Sequence, residues 1–268
     1  MRLQEGFITY EAVGKGGQQG AAALEVAPGT VSNGAPETVP NGASRTAVKQ
    51  TCPHFYLCHY RPIERGKDRL SYSLLRFKYG AYPDRDAWIS CMVEALLECR
   101  EYLAADTLIL RAFHHRETSI VKDPPVALDV LGNEIARRFG CLYAPEWLGK
   151  HRSTAQLRRL RQRSLRDGEL SGAYYWKGPP LPAVPAVPVD PLVAQVPRFR
   201  YLWIIDDILT TGSTIGAILQ TVMPVMGTAQ PFALTLGKTS VDTTINHKLA
   251  LSTDYGTWMA GRGWQIHE

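Results

Sequence analysis

The stretch from Tyr201 to Thr214, YLWIIDDILTTGST, constrains this chain more than any other. Its apolar opening, Tyr201 to Ile205, reads as a strand with no polar face, which a parallel sheet covered by helices on both sides can bury. The strand runs into two adjacent carboxylates, Asp206 and Asp207. After two more apolar residues come Thr210, Thr211, Gly212, Ser213 and Thr214, and then a helical pattern, STIGAILQTVM. Ligands of open α/β sheets bind beyond the carboxyl ends of the strands, where this acidic pair falls. In the small turn that follows, consecutive N–H groups and hydroxyls converge on a phosphate. Gly212 permits close approach, and the helix N-terminus favours the negative charge. Asp206 and Asp207 supply acceptors for two vicinal hydroxyls, so the run suits a ribose 5-phosphate. Taken singly, Ser213 or Thr211 is a helix cap and Asp–Asp a turn; the ordered whole favours the ligand.

The rest of the chain supplies the sheet and its helices. DAWISCMVEALLECREYLA (86–104) spaces its apolar residues as a helix with Asp86 at its N-cap, and DTLILRAF (106–113) is a buried strand. PPVALDVLGNEIARRFG (124–140) opens on prolines and stops at Gly140, which marks a helix at both ends. Residues 153–166 are basic and helical in pattern, and PFALTLG (231–237) is another strand. This order predicts an α/β fold with a mainly parallel twisted sheet flanked by helices. Residues 1–50 hold eight of the 23 glycines, three prolines and two aromatics, so they read as a flexible low-complexity tail before a domain spanning 51–268. Within that domain, 178–197 carries seven prolines and reads as a stiff insertion.

Composition narrows the setting. At 268 residues, 45% apolar and 21% charged, the chain can bury a substantial core, which excludes disordered and collagenous classes. No apolar run approaches the roughly 18 residues of a membrane span, and the N-terminus has no apolar core of a secretory signal. Five cysteines, an odd number, read as reduced thiols, so the expected location is the cytoplasm. The net charge of +5 suits anionic ligands. Cys52, His54, Cys58 and His59 in TCPHFYLCHY lack the spacing of a tetrahedral zinc site and read as structural residues or a decayed zinc module.

IIDDILTTGST resembles the PRPP-binding signature of type I phosphoribosyltransferases. SLLRFKYGAY (73–82) and HRSTAQLRRLRQRSLRDGELSGAYYW (151–176) resemble motifs of one branch, the ComF (competence protein F) family associated with DNA uptake. The similarity covers residues 55–240 in patches. It implies that the chain binds Mg-PRPP and transfers a 5-phosphoribosyl group to an unidentified acceptor, a base or amine, releasing pyrophosphate. Asp206 and Asp207 would be the catalytic acidic pair and Thr210–Thr214 the 5-phosphate loop. Mg²⁺ would be held mainly by PRPP rather than by protein ligands. The family's Arg-Gly-Phe-Asn-type segment is replaced here by ILRAFHHRETSIVKDPPVALDV, leaving Arg111, His115, Arg116 and Lys122 as pyrophosphate-side candidates.

Two adjacent histidines, His114 and His115, would point to opposite faces of a strand, so at most one should enter a site. The arginines of 152–166 read as a closing loop, a nucleic-acid contact or a solvated helix. Tyr255, Trp258 and Trp264 read as core residues or a stacking surface for a base. The resemblance also implies a possible homodimer. The competing class is a non-catalytic PRPP- or nucleotide-sensing protein in DNA handling, partnered with nucleic acid or a helicase-like motor.

Overall fold

The computed structural model describes residues 3–13, 47–62, 69–81, 84–120, 123–156, 160, 162–179 and 198–240. The core of the fold is a six-stranded sheet. Its strands are β1 (Gln4–Val13), β2 (Ala47–Tyr60), β3 (Thr107–Arg111), β4 (Leu142–Tyr143), β7 (Tyr201–Leu209) and β8 (Gln230–Thr239). They lie in the order β1-β2-β8-β7-β3-β4, all parallel except β1, which is antiparallel to β2. A two-stranded ribbon of β5 (Leu148–Lys150) and β6 (Tyr174–Trp176) stands apart from it.

Helices cover both faces, as the apolar strands demand. On one side α1 (Arg69–Lys78), α2 (Asp84–Ala95) and α3 (Ala127–Phe139) bury Leu74, Phe77, Trp88, Met92 and Leu131 against Phe55, Trp203, Ile205 and Phe232. On the other, α5 (Ser213–Met226) packs Ile215, Ile218, Leu219 and Val222 over Leu108, Leu110, Leu202 and Ile204. The short α4 (Arg163–Leu170) contributes Leu170 to this second core. Every residue of β7 from Tyr201 to Ile205 is buried, so no polar alternation was there to see. The helix over 127–139 closes on Gly140 at φ 74°, whose N–H donates to Ala136 O.

Several expectations change. Residues 4–13 and 47–50, assigned by composition to a flexible tail, form strands, and Leu3, Ile8 and Tyr10 are buried; the remainder of 1–50 lies outside the described residues. Exposure alternates from Phe7 to Tyr10, the period-two pattern of a half-buried strand. The helix expected over 86–104 begins at Asp84 and tightens after Ala95 into a 3-10 segment through Tyr102, with Cys99 off helical geometry. The basic helix expected over 153–166 starts only at Arg163. The Pro-rich 180–197, Lys122 and the aromatics Tyr255, Trp258 and Trp264 lie outside the described residues.

TCPHFYLCHY belongs to strand β2. Six strand steps separate Cys52 from Cys58, about 20 Å at 3.3 Å per residue, so the two thiols cannot share one tetrahedral ion. Both are buried, and His54 is 1% exposed. Thr235 donates its hydroxyl to Gly237 O at 3.0 Å, so His54 Nε2–H donates to Thr235 Oγ1 at 2.8 Å. Burial, with the charge of Lys238 behind it, pushes this imidazole down to about 4. These are core residues.

Candidate functional site

All the parallel strands end on one edge of the sheet, and the sequence motif unfolds there. Asp206 and Asp207 are the sixth and seventh residues of β7, past the last β3 partner pair, Arg111 with Ile205. Asp207 N donates to Asp206 Oδ1 at 2.8 Å, and Ile208 N donates to Asp207 Oδ1 at 2.7 Å. Both carboxylates line a cavity of about 350 Å³, together with Lys78, Tyr79, His114, His115, Gln156, Thr210 and Thr214. Burial and the neighbouring Asp207 push Asp206 up to about 7, against the pull of Lys78.

The turn behind the acidic pair is built for close approach. Gly212 has φ +80°, a conformation disfavoured for a residue with a Cβ. It precedes the first helical residue of α5, and its carbonyl accepts from Gly216 N at 2.8 Å. A Cβ at Gly212 would lie 2.9 Å from Ile8 Cγ2 on β1. Thr211 Oγ1 and Ser213 Oγ are 3.0 Å apart, and Arg166 Nη1 donates to Thr211 Oγ1 at 3.5 Å. Thr210 is exposed. Of the five turn residues, Thr210 and Thr214 line the cavity, and Ser213 is buried beneath them at the N-terminus of α5.

The pyrophosphate-side candidates divide. Arg111 is 1% exposed and is held from every side. Nε and Nη2 donate to Asp129 at 2.5 and 3.2 Å, Nη1 and Nη2 to Glu117 at 2.9 and 3.0 Å, and Nη1 to Ala112 O at 3.1 Å. All five N–H donors are engaged, so Arg111, which also lines the cavity, acts in the ligand-free chain as a strut that folds the 112–117 loop back on α3. Burial opposes its charge, but the bonds to Glu117 and Asp129 hold its pKa above that of a free guanidinium. Arg116 is exposed and stands off the cavity lining. His115 does line the cavity, and so does His114, because β3 ends at Arg111 and strand alternation does not govern the loop. Their rings lie 4.0 Å apart. Burial pushes both imidazoles down, with Lys78 next for His114 and His114 next for His115.

The loop's shape depends on a residue that sequence reasoning passed over. Lys150, 2% exposed, donates to His114 O, His115 O and Thr154 Oγ1 at 3.3, 3.0 and 2.9 Å. Burial pushes its pKa down to about 8. The second missed residue is Lys78, whose Nζ sits 2.6 Å from Asp207 Oδ2. Its signal was present in SLLRFKYGAY: a helix with Leu74 and Phe77 inward and a cation in its last turn before Gly80. That placement usually reflects only the helix dipole.

No family model matches the chain, and no curated protein matches it. The site therefore rests on its own geometry. As the side chains stand, the cation facing the acidic pair is Lys78. Three of the four oxygens of the acidic pair are engaged, two by backbone N–H groups and one by Lys78. Among the described residues, no three His, Cys, Asp or Glu side chains gather as a metal-binding group, and no helix is long and apolar enough to cross a membrane. A second hollow, of about 610 Å³, lies between α2 and α3, away from these groups.

Proposed function

We propose that this protein has a type I phosphoribosyltransferase-like fold, binds PRPP as its magnesium complex at the carboxyl end of β7, and transfers the 5-phosphoribosyl group to a nucleophile. The observation that carries this reading is the adjacency of two groups. The acidic pair Asp206–Asp207 and the two ends of the turn opening α5, Thr210 and Thr214, line one cavity. Its size falls within the range of about 300 to 1,000 Å³ of small-molecule sites.

In that reading the turn holds the 5-phosphate through backbone N–H groups and the Thr and Ser hydroxyls. Asp206 and Asp207 accept from the ribose hydroxyls and stabilise positive charge as it develops at C1. The bond from C1 to the diphosphate oxygen breaks, and diphosphate leaves with the electron pair. A base or amine forms the new bond to C1 and gives up its proton. In this reading Lys78 and His114, which line the cavity, join the expected His115 in facing the leaving diphosphate.

Calorimetric titration of Mg-PRPP into wild type and an Asp206→Asn, Asp207→Asn double variant tests the reading. Micromolar binding lost in the variant supports it; no binding to folded wild type overturns it. The saturation of Arg111 favours a second reading, a PRPP- or nucleotide-sensing protein without turnover. In that case binding is retained, and no acceptor from a panel of bases and amines releases pyrophosphate.

A further inference from the structure

Lys78 is delivered to the acidic pair on a fixed base. It is the last residue of α1, whose Leu74 and Phe77 are fully buried. The helix is closed by Gly80 at φ +73°, with Gly80 N donating to Phe77 O at 2.8 Å and Ala81 N to Arg76 O at 2.9 Å. From there the ammonium reaches Asp207 Oδ2 at 2.6 Å, with its side chain about one-third exposed. Asp206 Oδ1 and Asp207 Oδ1 accept from backbone N–H groups, and the two side chains are also hydrogen-bonded to each other. A hexacoordinate ion such as Mg²⁺ binds through one or two carboxylates and keeps a strict octahedral shell. Here it must first displace a tethered cation.

We propose that Lys78 is the resident cation of the acidic pair, held on Asp207 in the place of a divalent ion, so that the ligand-free protein excludes such ions. The proposal rests on the reading of Asp206 and Asp207 as the ligand site and assigns its charge balance. Lysine is suited to the part because its compact charge sits on a flexible stem and turns from a carboxylate to an incoming phosphate without helix movement. Neither His114 nor His115 replaces it, since burial favours the neutral form of both.

The test uses Mn²⁺ as the probe and no PRPP. Free Mn²⁺ is followed by electron paramagnetic resonance as the full chain is added: wild type, Lys78→Met, Lys78→Gln, Lys78→Arg and the Lys78→Met, Asp207→Asn double variant, each checked for folding by circular dichroism. Expected is one Mn²⁺ site in the Met and Gln variants, about tenfold or more tighter than any in wild type. That site is expected to be absent from the Arg variant and lost in the double variant. Two results overturn the proposal: wild type taking up Mn²⁺ as tightly as Lys78→Met, or folded Met and Gln variants taking up no more than wild type. The first reading needs no Lys78 variant. Failure of PRPP to bind leaves this result standing, and the reverse, so the two failures are distinct.

Discussion

Ile8 and Gly212 touch across the site: the Cγ2 of Ile8 occupies the space, 2.9 Å away, that any Cβ at position 212 would enter. Strand β1, paired with β2 through Ile8 and Cys52, thus underpins the turn from Thr210 to Thr214. Gly212→Ala should lose about 1 to 3 kcal/mol of stability, from backbone strain at φ +80° plus the clash. An Ile8→Ala, Gly212→Ala double variant relieves only the clash. Urea unfolding of the two singles and the double should show a coupling energy; strict additivity would mean that the contact carries no strain.

Asp206 gives a pH signature. Its folded pKa, about 7, lies above that of an unfolded aspartate, so its contribution is full below the unfolded value near 4 and is lost as pH rises towards 7. Asp206→Asn removes this loss. The variant should melt above wild type at pH 8, and the gap should close as pH falls to 5. Scanning calorimetry across that window reads it; a gap independent of pH would refute the assignment.

Arg111 makes a different demand. Arg111→Met leaves Asp129 and Glu117 facing each other without their cation, and both carboxylates are largely buried. A loss of about 3 to 5 kcal/mol is expected. Arg111→Lys should recover little, because a single ammonium cannot serve two bidentate partners. Denaturant midpoints decide this.

Lys150 should act on the loop and not on the fold as a whole. Lys150→Met removes the donor to the carbonyls of His114 and His115. Amide exchange over residues 112–117 should rise about tenfold, the equivalent of roughly 1.4 kcal/mol of opening, with exchange in β7 unchanged. Equal exchange in both proteins would show that Arg111 alone shapes the loop.

What the sequence disclosed was what is local. The strand over 201–205, the turn at 210–212 and the helix from Ser213 follow one another in the chain, and each announces itself by its own residues. Gly140 likewise marked the end of α3. Strand β1 was hidden because composition averaged over fifty residues diluted the alternation from Phe7 to Tyr10. Arg111 looked like a free cation because Glu117 meets it only when the loop after β3 folds back, and Asp129 only once α3 packs on β3. Lys78 meets Asp207 across most of the fold, and no periodicity encodes such a pairing.

The place of β8 has a consequence for how the chain is made. This strand, near the end of the described residues, slots between β2 and β7 and joins His54 to Ala233 and Ile204 to Ala233 in one register. During synthesis the β1–β2 ribbon is complete long before residues 230–239 leave the ribosome. Until then it has no parallel neighbour. The support that Ile8 lends to Gly212 therefore arrives late, when the sheet is stitched shut, and a nascent chain stopped short of β8 carries the whole turn from Thr210 to Thr214 without its floor.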